Sequence, residues 1–224
     1  FETTNGLSCA ESFEVALDRA VREVVERDAL MLVWLTRSGG RRVAPGQFLS
    51  PDYCEQIERM TDLGIKTIVR DISTDLGVRV FLVAITASFP GNRIGIAFGA
   101  GAHRASTQAA SHAFREACLS WRGVAWRTLT GDNPANGSPP SSFAAHGEYY
   151  SSWDRMHLLD FLVGDDPIEN IGEVVTDVPA TSCDQGHVEL LLRKGCKVLA
   201  TDITPRQAAD AGLTVVQAVI PGLV

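Results

Sequence analysis

The sequence has few cysteines, no long apolar run and no excess of basic residues. Its five cysteines are scattered and never spaced as C-x-x-C, which disfavours a disulfide framework or zinc site and favours reduced thiols in a cytoplasm. Lys and Arg number 20 against 27 Asp and Glu, so the formal net charge of −7 argues against a nucleic-acid partner. The longest apolar run, residues 78–87, is of strand length and far below the roughly 20 residues that cross a membrane, so no membrane partner is expected.

Both ends of the chain look cut. Residue 1 is Phe1 rather than an initiator Met, no signal-peptide pattern precedes the first turn, and the last strand pattern stops at a Pro-Gly pair. We therefore expect residues 1–224 to form one domain that is incomplete at both termini and belongs to a longer protein.

What is present is an ordinary globular composition, with 45% hydrophobic and 21% charged residues. The periodicity predicts helices over residues 12–35, 51–63, 106–126, 151–163, 183–194 and 205–211, and strands over residues 66–69, 78–87, 94–98, 197–201 and 215–220. Their irregular alternation predicts an α/β fold of layered α+β type. Residues 130–142, rich in Pro, Gly and Ser, predict an internal linker or a functional loop.

Two internal echoes predict that the domain contains two related halves of helix and strand. A shift of 93 positions superposes Gly6 on Gly99 and matches Ala, Arg and Glu residues of the helices that follow them. A shift of 131, widening to 135, superposes residues 64–72 on 195–203 and then 77–85 on 212–220. Either echo alone is within reach of chance, since composition supplies about one identity in sixteen. Together they predict a pseudo-repeat.

One group of charged residues has a spacing that suits chemistry. Glu23, Glu26 and Arg27 are three and four positions apart, so they share one face of the first helix. Glu116 is the equivalent of Glu23 in the second helix and follows His112 by four residues. If the two helices pack as equivalent partners, the three carboxylates converge and need a hard cation such as Mg²⁺, which prefers phosphate oxygens as further ligands. The same spacing also suits a solvated face on which Glu23 pairs with neighbouring arginines, and the residues alone leave both interpretations open.

Other candidate motifs are weak. His103 follows a Gly-rich stretch and is interpreted as a solvated loop histidine, while His146, Tyr149 and Tyr150 favour aromatic packing over a site. The chain has no Walker loop, no G-x-G-x-x-G fingerprint and no recognisable motif for a nucleophilic Ser or Cys.

Several stretches together resemble the YcaO family. AVREVVERDAL (20–30) resembles the family's first nucleotide-binding helix, and GAGAHRASTQAASHAFREAC (99–118) resembles the second, which follows a Gly-rich turn. Residues 195–224 resemble the closing segment, in which Asp-Leu-Thr leads to a strand and Val-Pro-Gly, and AAHGEYY (144–150) resembles a further conserved stretch. The resemblance covers nearly the whole chain.

The resemblance implies an ATP- and Mg²⁺-dependent cyclodehydratase that converts Cys, Ser or Thr residues of a ribosomal precursor peptide into thiazoline or oxazoline rings. The substrate side chain adds to the preceding carbonyl, ATP phosphorylates the resulting oxygen, and phosphate then leaves. Because the substrate supplies the nucleophile, the enzyme needs no catalytic Ser or Cys. The implied partners are the precursor peptide, a leader-peptide-binding protein in some relatives, and a second copy of the chain.

The resemblance also implies roles for individual residues. Glu23 and Glu26 match the E-x-x-E-R carboxylates that hold Mg²⁺ on the phosphates, and Glu116 matches the corresponding Glu of the second helix. Arg27 and His112 lie where phosphate or nucleotide contacts are expected.

Three departures favour an alternative. Leu119 stands where family members commonly carry Gln. Nucleotide-contacting residues upstream of Phe1 and the proline-rich end of many cyclodehydratases are missing. The alternative is therefore a catalytically silent homologue that binds a precursor peptide or partner protein, and a thioamide-forming branch is not distinguished either.

Overall fold

The computed structural model describes residues 4–89, 92–130, 149–172 and 186–223. In these residues the helices are α1 (Phe13–Thr36), α2 (Pro45–Phe48), α3 (Pro51–Asp62), α4 (Ser106–Thr130), α5 (Asp160–Val163), α6 (His187–Arg193) and α7 (Arg206–Asp210), with a 3-10 helix at Trp153–Leu159. The strands are β1 (Leu7–Ala10), β2 (Arg41–Val43), β3 (Ile65–Asp71), β4 (Arg79–Phe89), β5 (Asn92–His103), β6 (Leu199–Asp202) and β7 (Thr214–Val219). The predicted loop at 130–142 lies, from residue 131 on, outside the described residues.

Two antiparallel sheets form the framework. One has the strand order β2-β3-β4-β5 and the other β1-β7-β6. Helix α1 contacts strands of both sheets, and its buried Val21, Val24 and Val25 share one hydrophobic cluster with Val80 of β4 and Ala218 of β7. The α/β class is therefore confirmed, with α1 as the element that joins the sheets.

The long helices begin where the sequence predicts. The Ser12 hydroxyl accepts a hydrogen bond from the N–H of Val15 at 3.3 Å and so caps α1. Ser50 caps α3 in the same way, ahead of Pro51 at the first helical position. None of the helices in the described part of the chain is both long and apolar enough to cross a membrane.

The predicted pseudo-repeat is present in the fold. A shift of 93 positions carries α1 onto α4 along its whole length. Gly64 and Gly195, equivalent under the second shift, both adopt left-handed conformations, with φ of 78° and 81°. The same backbone turn therefore precedes β3 and β6.

The strand register repeats as well. Asp71 of β3 lies opposite Phe81 of β4, and the shifts carry this pair onto Asp202 and Val216, which lie opposite each other in β6 and β7. Each sheet also contains a strand from the other half of the repeat. Strand β5 of the second half pairs with β4 of the first, and β1 of the first half pairs with β7 of the second. The two halves are thus interlocked through both sheets.

The turns that follow β3 and β6 carry the same side-chain hydrogen bonds. The N–H of Ser73 donates to Asp71 Oδ1 at 3.0 Å, and the N–H of Thr204 donates to Asp202 Oδ1 at 2.9 Å. Such Asx turns are local devices that the sequence encodes directly. Their recurrence explains why these Asp residues stood out in the sequence echo.

The stretch from Gly99 to His103 is strand, whereas the sequence predicted a turn. A Cβ at Gly101 would lie 2.4 Å from the carbonyl oxygen of Ala109 and 2.6 Å from the amide nitrogen of Ala113. Gly99 meets the α4 backbone equally closely. The glycines are therefore explained by close packing of α4 on β5 and not by a turn.

The predicted helix at 151–163 is wrong in type, because it consists of the 3-10 helix and the short α5. The guanidinium of Arg70, fully buried in β3, donates to the carbonyl of Leu162 at 2.6 Å and pairs with Asp166. A carbonyl that accepts from a neighbouring strand ties the chain to the sheet, and the helix ends at Val163. The Arg70 contacts could not be seen in the local sequence.

We expect Gly101→Ala to lower the free energy of unfolding by about 2 kcal/mol, because the added Cβ meets α4 backbone that cannot rotate away. Gly123→Ala is the matched control, since a Cβ at this position in α4 meets no described atom within 4 Å. Alanine also favours the helix, so this control should raise stability by roughly 0.5–1 kcal/mol. Urea unfolding measures both, and equal effects would contradict the packing argument.

Candidate functional site

Two of the predicted carboxylates lie on the open edge of β5. Glu26 on α1 accepts a hydrogen bond from the N–H of Ala102 at 3.1 Å, and Glu116 on α4 accepts one from the N–H of Ala100 at 2.8 Å. Both use Oε2. Outward N–H groups two residues apart on a strand are separated by about 7 Å. The edge strand therefore orients two carboxylates side by side through one oxygen of each.

Burial dominates the electrostatics of the cluster, and like charge adds to it at Glu26. Burial and the Glu116 carboxylate raise the pKa of Glu26 to about 7, and the Glu23 carboxylate adds to this effect. Arg27 and the Ala102 N–H act in the opposite direction without cancelling it. Burial likewise raises the pKa of Glu23, against the lowering effect of Arg27. The carboxylates thus lie within electrostatic reach of one another with too little positive charge to balance them.

Within the described ranges, no close ion pair supports the interpretation of this helix face as a solvated surface on which Glu23 pairs with neighbouring arginines. In the described part of the chain, Glu23 forms no ion pair within 4 Å with Arg27 or any other arginine. Arg27 acts on Glu23 and Glu26 from a greater distance, through its charge alone. The face is therefore more than a row of exposed ion pairs.

The donor chemistry fits a hard divalent cation that receives further ligands from elsewhere. Among the described residues, no three His, Cys, Asp or Glu side chains are arranged to hold a metal ion unaided. Magnesium usually keeps several waters and takes one or two protein carboxylates together with phosphate oxygens. Glu26 and Glu116, already oriented by β5, match that requirement, with Glu23 beside them. The three metal ligands remain a prediction.

His112 is half-buried on α4, one turn before Glu116, and its ring centroid lies 6.4 Å from that of His103. The interpretation of His103 as a solvated loop residue is wrong: it ends β5, is 2% exposed, and accepts a hydrogen bond from the N–H of Ala105 at 3.0 Å through Nδ1. The prediction failed because residues 99–103 were interpreted as a turn. The structure therefore places His112 one turn from Glu116 and beside a second, buried imidazole.

Comparison with known protein families identifies one family that matches the whole chain. The family profile described as YcaO cyclodehydratase, ATP- and Mg²⁺-binding, matches residues 1–224. The chain belongs to the YcaO family. This agrees with the resemblance carried by residues 20–30, 99–118 and 195–224.

Solved structures share the YcaO fold over nearly all of this chain. A heterocyclase in complex with substrate and cofactor aligns with a TM-score of 0.72 at 21% identity, covering 99% of this chain and 28% of its own. YcaO from Methanopyrus kandleri bound with AMPPCP and Mg²⁺ aligns with a TM-score of 0.65 at 18% identity, covering 98% and 55%. The E. coli microcin synthetase McbBCD complex with pro-MccB17 bound aligns with a TM-score of 0.64 at 13% identity, covering 100% and 55%.

At these identities the likenesses establish the fold alone. The chain spans between 28% and 55% of the length of these structural relatives. What the relatives bind is a property of those proteins.

A buried pair that sequence reasoning missed fastens α1 to α6 of this YcaO fold. Asp18 Oδ2 lies 2.6 Å from His187 Nδ1, and both side chains are almost wholly buried. Asp18 Oδ1 accepts hydrogen bonds from the N–H groups of Gly186, His187 and Val188. Burial alone would raise the pKa of Asp18, but the hydrogen bonds and charge of His187 with the backbone N–H groups outweigh it and lower the pKa.

No local signal in the sequence could have found this pair. The two residues are 169 positions apart, and Asp18 stands in for the capping side chain that α6 does not supply itself. The cap comes from another helix and is created by the tertiary fold.

The aromatic interpretation of Tyr150 is confirmed, because its ring packs edge-on against Trp34 at 4.8 Å between centroids. Tyr149 packs against Tyr150 in a similar way at 5.0 Å. His146 lies outside the described residues. Tyr150 therefore contributes to the core beside α1.

Proposed function

We propose that the full-length protein is an ATP- and Mg²⁺-dependent cyclodehydratase that forms thiazoline or oxazoline rings in a ribosomal precursor peptide. The observation that carries the proposal is the pair of carboxylates, Glu26 and Glu116, oriented side by side on the β5 edge of a YcaO fold. Structural relatives in complex with substrate and cofactor, or with AMPPCP and Mg²⁺, support the same assignment.

In the proposed mechanism, Glu23, Glu26 and Glu116 would hold Mg²⁺ together with the phosphates of ATP. Mg²⁺ bound there would neutralise charge on the transferring phosphoryl group. Arg27 and His112 contact the nucleotide. The β5 N–H groups keep Glu26 and Glu116 in place, so that little reorganisation is needed when ligands arrive.

The substrate supplies the rest of the chemistry. The sulfur or oxygen of a Cys, Ser or Thr side chain attacks the preceding carbonyl carbon and loses its proton to solvent. The former carbonyl oxygen then attacks the γ-phosphorus of ATP, with release of ADP. Expulsion of phosphate and loss of the amide proton leave the C=N bond of the azoline ring. The chain's task is to align these atoms and exclude water, which needs no nucleophilic residue of its own.

Partners and location follow from the same proposal. The substrate is a precursor peptide, and a leader-peptide-binding protein is a further proposed partner. The complex of a structural relative, McbBCD with pro-MccB17 bound, supports a peptide and partner proteins. Pairing with a second copy is a further proposal. Cys9, Cys54, Cys118 and Cys196 are free thiols, which suits a cytoplasmic site of action.

A catalytically silent homologue is the second candidate. Leu119, 65% exposed one turn beyond Glu116, is an apolar residue where the site is expected to be polar. Such a protein would bind a precursor peptide or partner without releasing phosphate.

Titration calorimetry with Mg·ATP tests the proposal, on the chain and on the full-length parent. We expect the wild-type protein to bind Mg·ATP. Glu23→Gln and Glu116→Gln should each weaken this binding at least about tenfold, because each removes a carboxylate charge that would balance the phosphate-bound cation. Glu14→Gln, an exposed residue on the first turn of α1, is the matched control and should bind normally. Phosphate release by the full-length parent with precursor peptides and partner proteins then separates enzyme from silent homologue. Its absence with every such combination would contradict the enzyme assignment.

A further inference from the structure

The face of α4 beyond Glu116 carries exposed apolar side chains that have no role in the candidate carboxylate cluster. Three large apolar side chains project into solvent there, namely Leu119 (65% exposed), Trp126 (70%) and Leu129 (64%). Arg122, also exposed, lies between them. These four residues are called the α4 stripe below. Exposed Trp and Leu in one row are uncommon on a surface that only meets water.

The α4 stripe is continuous with the candidate site. His112, Leu119 and Trp126 follow one another at intervals of seven, so they lie on nearly the same line along the helix. Leu119 is one turn from Glu116. From Glu116 to Leu129 the helix rises about 20 Å, which is the length of about six extended residues.

The surface also has open space and positive charge. A Cβ at Gly123 would meet no described atom within 4 Å, so a ligand side chain can approach the helix backbone between Leu119 and Trp126. Arg115 and Arg122 are exposed on the same face. They contrast with the net charge of −7 for the whole chain. The stripe thus complements apolar side chains flanked by acidic ones.

We propose that the α4 stripe binds the substrate peptide, as a segment in which apolar and acidic residues adjoin the Cys, Ser or Thr that is cyclised. This inference rests on the proposed function, because a peptide amide that reacts with ATP must lie beside Glu116. Trp126 is the central contact, with Leu119 and Leu129 on either side and Arg122 pairing with an acidic residue of the peptide. Large aromatic and Arg side chains commonly carry most of the binding energy of such surfaces.

Fluorescence anisotropy of labelled synthetic peptides tests this on the full-length protein. The first probe is a twelve-residue peptide with one central Cys among alternating Leu and Glu. The second has Lys in place of Glu, and the third has Ser in place of Leu. We expect the first to bind at least about tenfold more tightly than the other two, because only it matches both the apolar row and its charge.

Substitutions assign the binding to the α4 stripe. Trp126→Ala should weaken binding of the first peptide by about tenfold or more, and Arg122→Glu should shift the preference toward the Lys peptide. Leu35→Ala is the matched control, since Leu35 is also 70% exposed but lies at the far end of α1. It should leave binding unchanged. Thermal melts confirm that all variants are folded.

The outcomes separate this inference from the proposed function. Mg·ATP calorimetry on Trp126→Ala should match wild type, because Trp126 lies ten residues, or about 15 Å along α4, beyond Glu116. Equal binding of all three peptides, or unchanged binding by Trp126→Ala, would overturn the inference while leaving Mg·ATP binding intact. Sedimentation adds a further outcome: loss of a dimer in Trp126→Ala with unaltered peptide binding would show a contact between copies and overturn it too. Trp126-dependent peptide binding without any Mg·ATP binding would support the stripe and contradict the proposed function.

Discussion

Glu26→Gln should weaken Mg·ATP binding strongly and at the same time stabilise the ligand-free protein. The amide oxygen of Gln can still accept the Ala102 N–H, so the local hydrogen bond persists. The substitution removes the half-buried charge that lies close to Glu116. The same charge is what a divalent cation needs, so we expect binding to weaken at least about 100-fold.

The stability gain should depend on pH. Folding raises the pKa of Glu26 from 4.5 to about 7, so the folded state holds its proton more tightly than the unfolded state between these values. Wild-type stability therefore falls as pH rises from about 4.5 to 7, and the full penalty is present above pH 7. We expect Glu26→Gln to be more stable than wild type by about 2 kcal/mol at pH 8, after allowance for solvent screening, and equally stable near pH 4.5.

Urea unfolding at the two pH values and calorimetry with Mg·ATP measure these effects. Glu14→Gln on the same helix should change neither quantity, because Glu14 is exposed and distant from the cluster. Binding of Mg·ATP within about threefold of wild type would show that Glu26 is not a ligand of the cation.

Asp18→Asn should cause the largest loss of stability. It removes the negative charge that pairs with His187 in a buried environment, and it places an amide NH₂ where one carboxylate oxygen was. The one oxygen of Asn can accept from the N–H groups that begin α6, as Oδ1 does, or face His187 Nδ1 in place of Oδ2, so one of the two contacts is lost. Breaking a buried pair in this way costs about 3 kcal/mol, or roughly 10 °C in Tm for a chain of this size.

Thermal and urea unfolding measure this loss. Asp62→Asn is the control, since Asp62 is an exposed carboxylate at the end of α3. The lowered pKa of Asp18 adds a second signature. Wild-type stability should decline as pH falls below 3.8, through the folded-state pKa, while the variant lacks that contribution. A loss under 1 kcal/mol would mean that the pair does not fasten α6 to α1.

Local signals predicted the long elements well. Ser12 and the apolar repeat behind it placed α1 to within a residue at each end, because capping and amphipathic spacing act within a few residues. The sequence also predicted the pseudo-repeat, since Asp71 and Asp202 each form a local turn with a following Ser or Thr. Such features depend on neighbours in the chain.

Local signals failed where a distant element decides the structure. Gly99 and Gly101 suggested a turn because glycine is a poor strand former, and only the close approach of α4 explains them in β5. Arg70 likewise ties Leu162 and Asp166 to β3 through contacts that no local signal shows. His103 became buried for the same reason, through the packing of the end of β5.

The sequence by itself determined the fold class, the two related halves and the identity of the candidate carboxylates, because each is written in spacing or in recurring residues. Only the tertiary structure decided that Glu26 and Glu116 share the edge of one strand, since the N–H groups that orient them belong to β5. The pairing of Asp18 with His187 across 169 positions was decided in the same way. Burial and charge in such a site arise only when distant segments meet, and they set the pKa of Glu26 and the chemistry proposed for it.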